Sequence, residues 1–185
     1  MPLNPQQAPQ PAKKSMPVAV IILIVLGVVC CPIGGLAAIA VPNFIRFQAR
    51  SKQSECKMNL KSAFIAQKSY FGEKDTYGED PTEIGFSPEK GTRYLYVLGP
   101  GSEIAPSNAT AKTPVGQLRA AIPSDVVPGV EGECPEKCNA TVVCVGNIDN
   151  DDTIDVWSIS TENRTFNGES VPAGMPFNHV NDVAD

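Results

Sequence analysis

The sequence predicts an α+β fold: a long N-terminal membrane helix with a small antiparallel β-sheet head packed on its C-terminal half. Three observations carry this. Residues 16–45 are thirty in a row without a charged side chain, and about 20 apolar residues already cross the hydrocarbon core of a bilayer as a helix. From Phe44 onward apolar residues recur at spacings of three and four, the signature of one buried helix face. After Phe71 glycines and prolines multiply and bound short strand-like runs, the pattern of an antiparallel sheet laid on a helix.

The chain of 185 residues divides into four segments. Residues 1–15 are rich in Pro and Gln and are expected to form a disordered cytoplasmic leader. Residues 16–45 are the hydrophobic membrane helix, 46–71 an amphipathic stalk helix, and 72–185 a globular, β-rich head with an acidic loop. Lys13 and Lys14 precede the apolar run and favour a cytoplasmic N-terminus, although Arg46, Arg50 and Lys52 flank its other end. Cleavage of a secretory signal after Ala40, at Ala38-Ile39-Ala40, is the competing reading of the same run. A lipoprotein site fits poorly, because Val29 before Cys30 is too large for the small residue needed there.

On the stalk, Cys56, Leu60, Ala63, Phe64, Gln67 and Phe71 line one helix face. Lys52, Lys57, Lys61 and Lys68 fall mostly elsewhere, and the helix is expected to end near Gly72. An unbroken helix from Val18 to Phe71 would run about 80 Å, with Pro32 and Pro42 each favouring a kink. In the head, turn signals at Asp80-Pro81, Gly91, Gly99-Pro100-Gly101, Pro128-Gly129 and Gly146 separate strands expected at 93–98, 141–145 and 153–160, with a weaker fourth at 119–122.

Charge is unevenly spread. Residues 13–71 hold eight of the fifteen basic residues against Glu55 alone, whereas residues 124–155 hold eight acids against Lys137. The formal net charge of −5 argues against nucleic acid as the main partner, because that contact rests on phosphate neutralisation. The basic stretch fits anionic headgroups of membrane lipid at the foot of the stalk, or simply a solvated helix face.

Six cysteines are present. Cys30 and Cys31 belong to the apolar run. Cys56, Cys134, Cys138 and Cys144 lie in the soluble part, where an even number outside a membrane points to two disulfides. Zinc is the rival, but Cys-x3-Cys-x5-Cys lacks a paired Cys-x2-Cys and the only histidine is His179. Three pairings are open. If Val142 and Cys144 face the helix, a Cys56–Cys144 bridge staples sheet to stalk, and Cys134–Cys138 closes a small local ring.

Asn147, Asp149, Asp151 and Asp155 stand at relative positions 1, 3, 5 and 9, the spacing that opens an EF-hand calcium loop. Asp152 stands where that loop needs Gly and Ser158 where it needs Glu. An acidic turn between the strands expected at 141–145 and 153–160 is the better reading of these residues. No other cofactor and no catalytic residue is expected: Ser, Asp and the lone His179 form no nucleophile-type pattern in sequence.

The run Leu36-Ala37-Ala38-Ile39-Ala40-Val41-Pro42-Asn43-Phe44, followed by Arg46-Phe47-Gln48-Ala49-Arg50-Ser51-Lys52-Gln53-Ser54-Glu55, resembles the N-terminal helix of bacterial type IV pilins and type II secretion pseudopilins. Ala66-Gln67-Lys68-Ser69-Tyr70-Phe71, Gly146-Asn147-Ile148-Asp149 and Ile154-Asp155-Val156-Trp157 resemble such subunits more loosely. The resemblance covers residues 20–71 well. It implies a structural subunit that polymerises with like subunits through Ile21, Val25, Pro32, Leu36, Ala40, Pro42 and Phe44, single-pass in the bacterial inner membrane with its head outside, or displayed in a surface pilus.

Two positions depart from that pattern. With the proline of the family placed on Pro42, Val20 stands at the Gly of the leader-cleavage site and Val25 at the glutamate of the mature helix. That carboxylate is costly in a membrane unless paired. Its absence implies a subunit that stays anchored, or a minor or divergent component. The alternatives are a membrane-anchored extracytoplasmic binding domain that never polymerises, or the secreted protein that begins at Val41.

Overall fold

The computed structural model describes residues 17–108, 111–148 and 152–183, and only the backbone of residues 21, 23–42 and 45. The chain forms two compact units, Met1–Phe44 and Ile45–Asp185. Helix α1 is assigned to Val18–Lys74. Its residues up to Phe44 belong to the first unit, in which Val18 and Ile22 are exposed. The rest of the fold belongs to the second unit.

There α1 buries Ala49, Gln53, Cys56, Leu60, Ala63 and Gln67, a row of alternating four- and three-residue steps that stacks on one face. The helix ends two residues past Gly72. Asp75 takes the left-handed conformation (φ 54°) and its N–H donates to the Phe71 carbonyl at 2.9 Å, a termination Asp tolerates better than most residues. Gln67 then fixes the chain that follows: its Nε2 donates to the Gly78 carbonyl at 2.5 Å and its Oε1 accepts from the Gly78 N–H at 3.1 Å.

The head is α+β and its main sheet is antiparallel. The strands are β1 (Leu95–Gly99), β2 (Ser102–Ile104), β3 (Gly129–Glu133), β4 (Lys137–Gly146), β5 (Asp155–Ser160) and, from the C-terminal end, β8 (Phe177–Val180); β6 (Arg164–Phe166) and β7 (Glu169–Val171) form a separate hairpin. The order is β2-β1-β4-β5-β8, with β3 also paired to β4. Ten-residue β4 serves two partners on one edge, β3 along its first half and β1 along its second. Its other edge pairs with β5 from Thr141↔Ser160 to Gly146↔Asp155.

Both sheet faces are covered. Tyr94, Tyr96, Leu98, Val142, Cys144, Trp157 and Ile159 pack with the buried face of α1. Leu95, Val97, Val143, Val145 and Val156 form a second core with Leu118, Val126, Phe166 and Val171. The result is three layers, with α1 on one side and α2 (Val115–Ala120), the 121–128 loop and the β6–β7 hairpin on the other. Each fully buried Leu, Ile or Val contributes about 1.5–3 kcal/mol.

Several sequence expectations shift. Residues 119–122 form no strand: Pro114 precedes the short helix α2, whose Leu118 is buried and whose last turn contains Arg119. Strand β1 starts at Leu95 rather than residue 93, and β5 at Asp155 rather than 153. Strand β4 begins four residues earlier than expected, because β3 pairs with its polar first half (Glu133↔Lys137 to Gly129↔Thr141). Glu79 accounts for two glycines where β1 and β3 meet. Its Oε1 accepts from the Val130 N–H at 3.0 Å, and a Cβ on either Gly99 or Gly129 would collide with its carboxylate.

Candidate assembly interface

The side of α1 turned away from the sheet is the main feature without an internal partner. Phe47 is 70% exposed, Met58 72% and Ile65 66%. Each stands two residues before a buried position: Ala49, Leu60 and Gln67 respectively. Two residues are about 200° of helical rotation, so the three form an apolar stripe opposite the packed face. Ser51 and Ser54 are exposed between Phe47 and Met58, which keeps that stretch of the stripe low. Arg46, Arg50, Lys61 and Lys68 are exposed along the helix.

The partly buried cations work inward. Lys57 Nζ lies 4.2 Å from the centroid of the Trp157 ring, and Lys52 Nζ donates to the Ile148 carbonyl. Glu55 accepts from the Arg93 N–H at 2.9 Å and pairs with its guanidinium at 3.6 Å. Asn59 Nδ2 donates to the Tyr96 hydroxyl at 2.6 Å. Burial holds the Tyr96 phenol above its ordinary pKa, and the Asn59 hydrogen bond opposes that shift.

Sequence-expected site residues fall in three groups. Of the helix set, Phe44 is 60% exposed; the side chains of Ile21, Val25, Pro32, Leu36, Ala40 and Pro42 lie outside the described residues. Among the described residues, no helix is long and apolar enough to cross a membrane. The cysteines are joined as Cys56–Cys144 and Cys134–Cys138. Cys56 and Cys144 are fully buried between α1 and the central strand β4, whereas Cys134 and Cys138 close the tip of the β3–β4 hairpin and are half-buried.

Of the acidic-loop set, Asp149 and Asp151 lie outside the described residues, and so does the expected leader 1–15. Asp155 points inward rather than into the loop. It is fully buried, with Oδ2 accepting from the Tyr94 hydroxyl at 2.8 Å and Trp157 Nε1 at 2.7 Å. Its Oδ1 accepts from Gln53 Nε2 at 3.0 Å, Asn178 Nδ2 at 3.2 Å and the Asp182 N–H at 3.4 Å. Among the described residues, no group of three His, Cys, Asp or Glu is placed to hold a metal ion.

One contact invisible in the sequence joins Ser158 Oγ to His179 Nε2 at 2.7 Å. Ser158 is 3% exposed, and His179 sits edge-on to Phe166 and Phe177. The pair is a packed hydrogen bond between β5 and β8, not a nucleophile presented to solvent.

The geometry is that of an α+β head packed on one face of a helix whose other face presents Phe47, Met58 and Ile65 to solvent. Residues 47–115 match the family described as type IV pilin PilA. The chain is 38% identical over 205 aligned positions to the type IV major pilin protein PilA of Myxococcus xanthus (strain DK1622), an alignment that covers 88% of this chain and 91% of that protein. This chain belongs to the type IV pilin family.

Proposed function

We propose that the chain is a structural subunit of a type IV pilus that polymerises through α1, with residues 16–45 held in the inner membrane before assembly and the head outside. The observation that carries this is the exposed row Phe47, Met58 and Ile65 on a helix whose opposite face is already satisfied. Covering three such side chains is worth on the order of 5–9 kcal/mol before the entropy of association is subtracted. Head-to-tail contacts of this kind generate open helical assemblies. The relative in Myxococcus xanthus is a major pilin by description, which favours a pilus over a secretion pseudopilus.

Val20 and Val25 favour a second reading within the same family, a minor or divergent subunit that keeps its leader and stays in the membrane. Two measurements on the full chain in its native host separate them. Electron microscopy of the sheared surface fraction should show filaments that contain the protein. N-terminal sequencing should give Ile21 for a processed pilin and Met1 for a retained anchor. Val41 as the first residue, with the protein monomeric in the medium, would sink both.

A further inference from the structure

The Cys56–Cys144 bridge crosses from α1 to the sheet close to the end of their contact that lies nearest residue 45. Few residues of the helix meet the head ahead of it, and none of those contacts is covalent. Ala49 is buried, and Lys52 donates to the Ile148 carbonyl. Gln53 Nε2 donates to Asp155 Oδ1 at 3.0 Å and Asn181 Oδ1 at 2.9 Å, and Glu55 accepts from the Arg93 N–H at 2.9 Å. Behind the bridge lie the buried Leu60, Ala63 and Gln67, then residues 75–94, which join α1 to β1 without forming helix or strand. On the sheet side Cys144 stands opposite Tyr96 of β1 and Trp157 of β5. The bridge therefore ends on a strand that is held along both edges.

Tension along α1 has two covalent routes into the sheet. One passes the whole helix and residues 75–94 before it reaches β1. The other crosses at Cys56 into β4, and a pull arriving at residue 45 meets it first. The contacts ahead of it open singly under a pull, at their own opening rates. Residues 45–55 can then lengthen from 1.5 Å to at most about 3.5 Å each, a gain of roughly 20 Å, and there the bridge stops them. The bridge spans a sequence separation of 88, which keeps up to about 300 Å of extended chain out of the path of the pull. We infer that Cys56–Cys144 is the link through which tension passes from α1 into the head, with β4 as the receiving strand and the chain between the two cysteines shielded. Cys134–Cys138 lies within that shielded span, at the tip of the β3–β4 hairpin, and carries no tension. The inference rests on the assembly reading above, which sets α1 among other copies and makes it the part by which a filament pulls.

The test holds filaments of the unsubstituted chain from the native host at constant tension in an optical trap, with dithiothreitol in the buffer. One dithiothreitol thiolate attacks a cysteine sulfur and displaces the other as a thiolate; the second dithiothreitol thiol then closes the reductant's own disulfide and frees the first cysteine. A pull carried by the Cys56–Cys144 bond opens the contacts that bury it. Loaded filaments should therefore lengthen at a rate that rises with dithiothreitol concentration, and alkylation mapping should find Cys56 and Cys144 modified. Unloaded filaments kept in the same buffer for the same time should leave both unmodified. Lengthening that ignores dithiothreitol, or loaded filaments with Cys56 and Cys144 intact, overturns the link and leaves the assembly reading standing. Absence of filaments from the unsubstituted chain overturns both. As a second readout, Cys56→Ser with Cys144→Ser should abolish the dithiothreitol response and let filaments lengthen at lower tension, whereas Cys134→Ser with Cys138→Ser should match the unsubstituted chain. A response kept by the first pair of substitutions, or lost with the second, overturns the assignment.

Discussion

The hydroxyl of Tyr94 donates to the Asp155 carboxylate at 2.8 Å, and neither side chain meets solvent. Gln53 reaches the same carboxylate from α1 at 3.0 Å, so one buried acid joins the helix to the sheet. Burial, reinforced by the adjacent negative charge, pushes the Tyr94 phenol far above its ordinary value, so the tyrosine is a hydrogen-bond donor at neutral pH. Tyr94→Phe removes one donor and should cost about 1–2 kcal/mol. Asp155→Ala strands several donors at once, each worth about 1–3 kcal/mol, and should be the more damaging change. Urea unfolding with the disulfides intact measures both; equal losses would contradict the shared-acceptor account.

The two disulfides should separate under reduction. Cys134–Cys138 closes a five-residue ring at a half-buried hairpin tip, whereas Cys56–Cys144 spans 88 residues and is fully buried. In native buffer with dithiothreitol, alkylation mapping should find Cys134 and Cys138 modified well before Cys56 and Cys144. By loop entropy the long bridge contributes roughly 4.6 kcal/mol and the short one roughly 2 kcal/mol, so Cys56→Ala should lower stability about twice as much as Cys138→Ala.

Glu79 is wedged where β1, β3 and the chain after α1 converge. Its side chain accepts from Val130 and its carbonyl accepts from Ser102 Oγ at 2.6 Å. Gly129→Ala forces a side chain onto a backbone at φ 125° and against Glu79, a combination expected to cost more than about 2 kcal/mol. Glu79→Ala should cost about 1–3 kcal/mol by leaving the Val130 N–H without its acceptor. In the double variant the clash with Glu79 vanishes while the backbone strain stays, so its loss should fall short of the sum of the two single losses. Additive losses would show that the wedge is not the cause.

Burial lowers the pKa of His179 from its ordinary 6.5, with Asp125 opposing and Arg164 adding to the shift. The unfolded chain therefore binds the proton more readily than the folded one. Stability from this group is full above pH 6.5 and is lost as pH falls from there towards the lowered value. Unfolding midpoints measured between about pH 5 and 7.5 should rise with pH, and His179→Gln should flatten that slope. A slope unchanged by the substitution would assign it to other groups.

The inward face of α1 was legible, because Cys56, Leu60, Ala63 and Gln67 repeat at the helical period and all four are buried. The outward stripe was not read, since Phe47, Met58 and Ile65 look like scattered apolar residues until the buried row fixes which side faces water. The run Thr141-Val142-Val143-Cys144-Val145 was recognisable as a strand. Its lack of polar alternation already signalled a sheet covered on both faces, yet only the α1 side was foreseen. Strand β3 was hidden by its composition: Gly129-Val130-Glu131-Gly132-Glu133 has a turn's residues and owes its extension to pairing with β4.

Strand β4 is the hub on which β1, β3 and β5 all depend, and it is built from Lys137–Gly146. Everything synthesised before it, including α1 and β1, lacks its main pairing partner until the last quarter of the chain arrives. Closing such distant pairings is slow compared with winding a helix. Under the assembly reading proposed above, in which the head is delivered across the membrane N-terminus first, the apolar faces of α1 and β1 stay uncovered until β4 follows. Residues 137–146 then supply the one strand that β1, β3 and β5 all pair with.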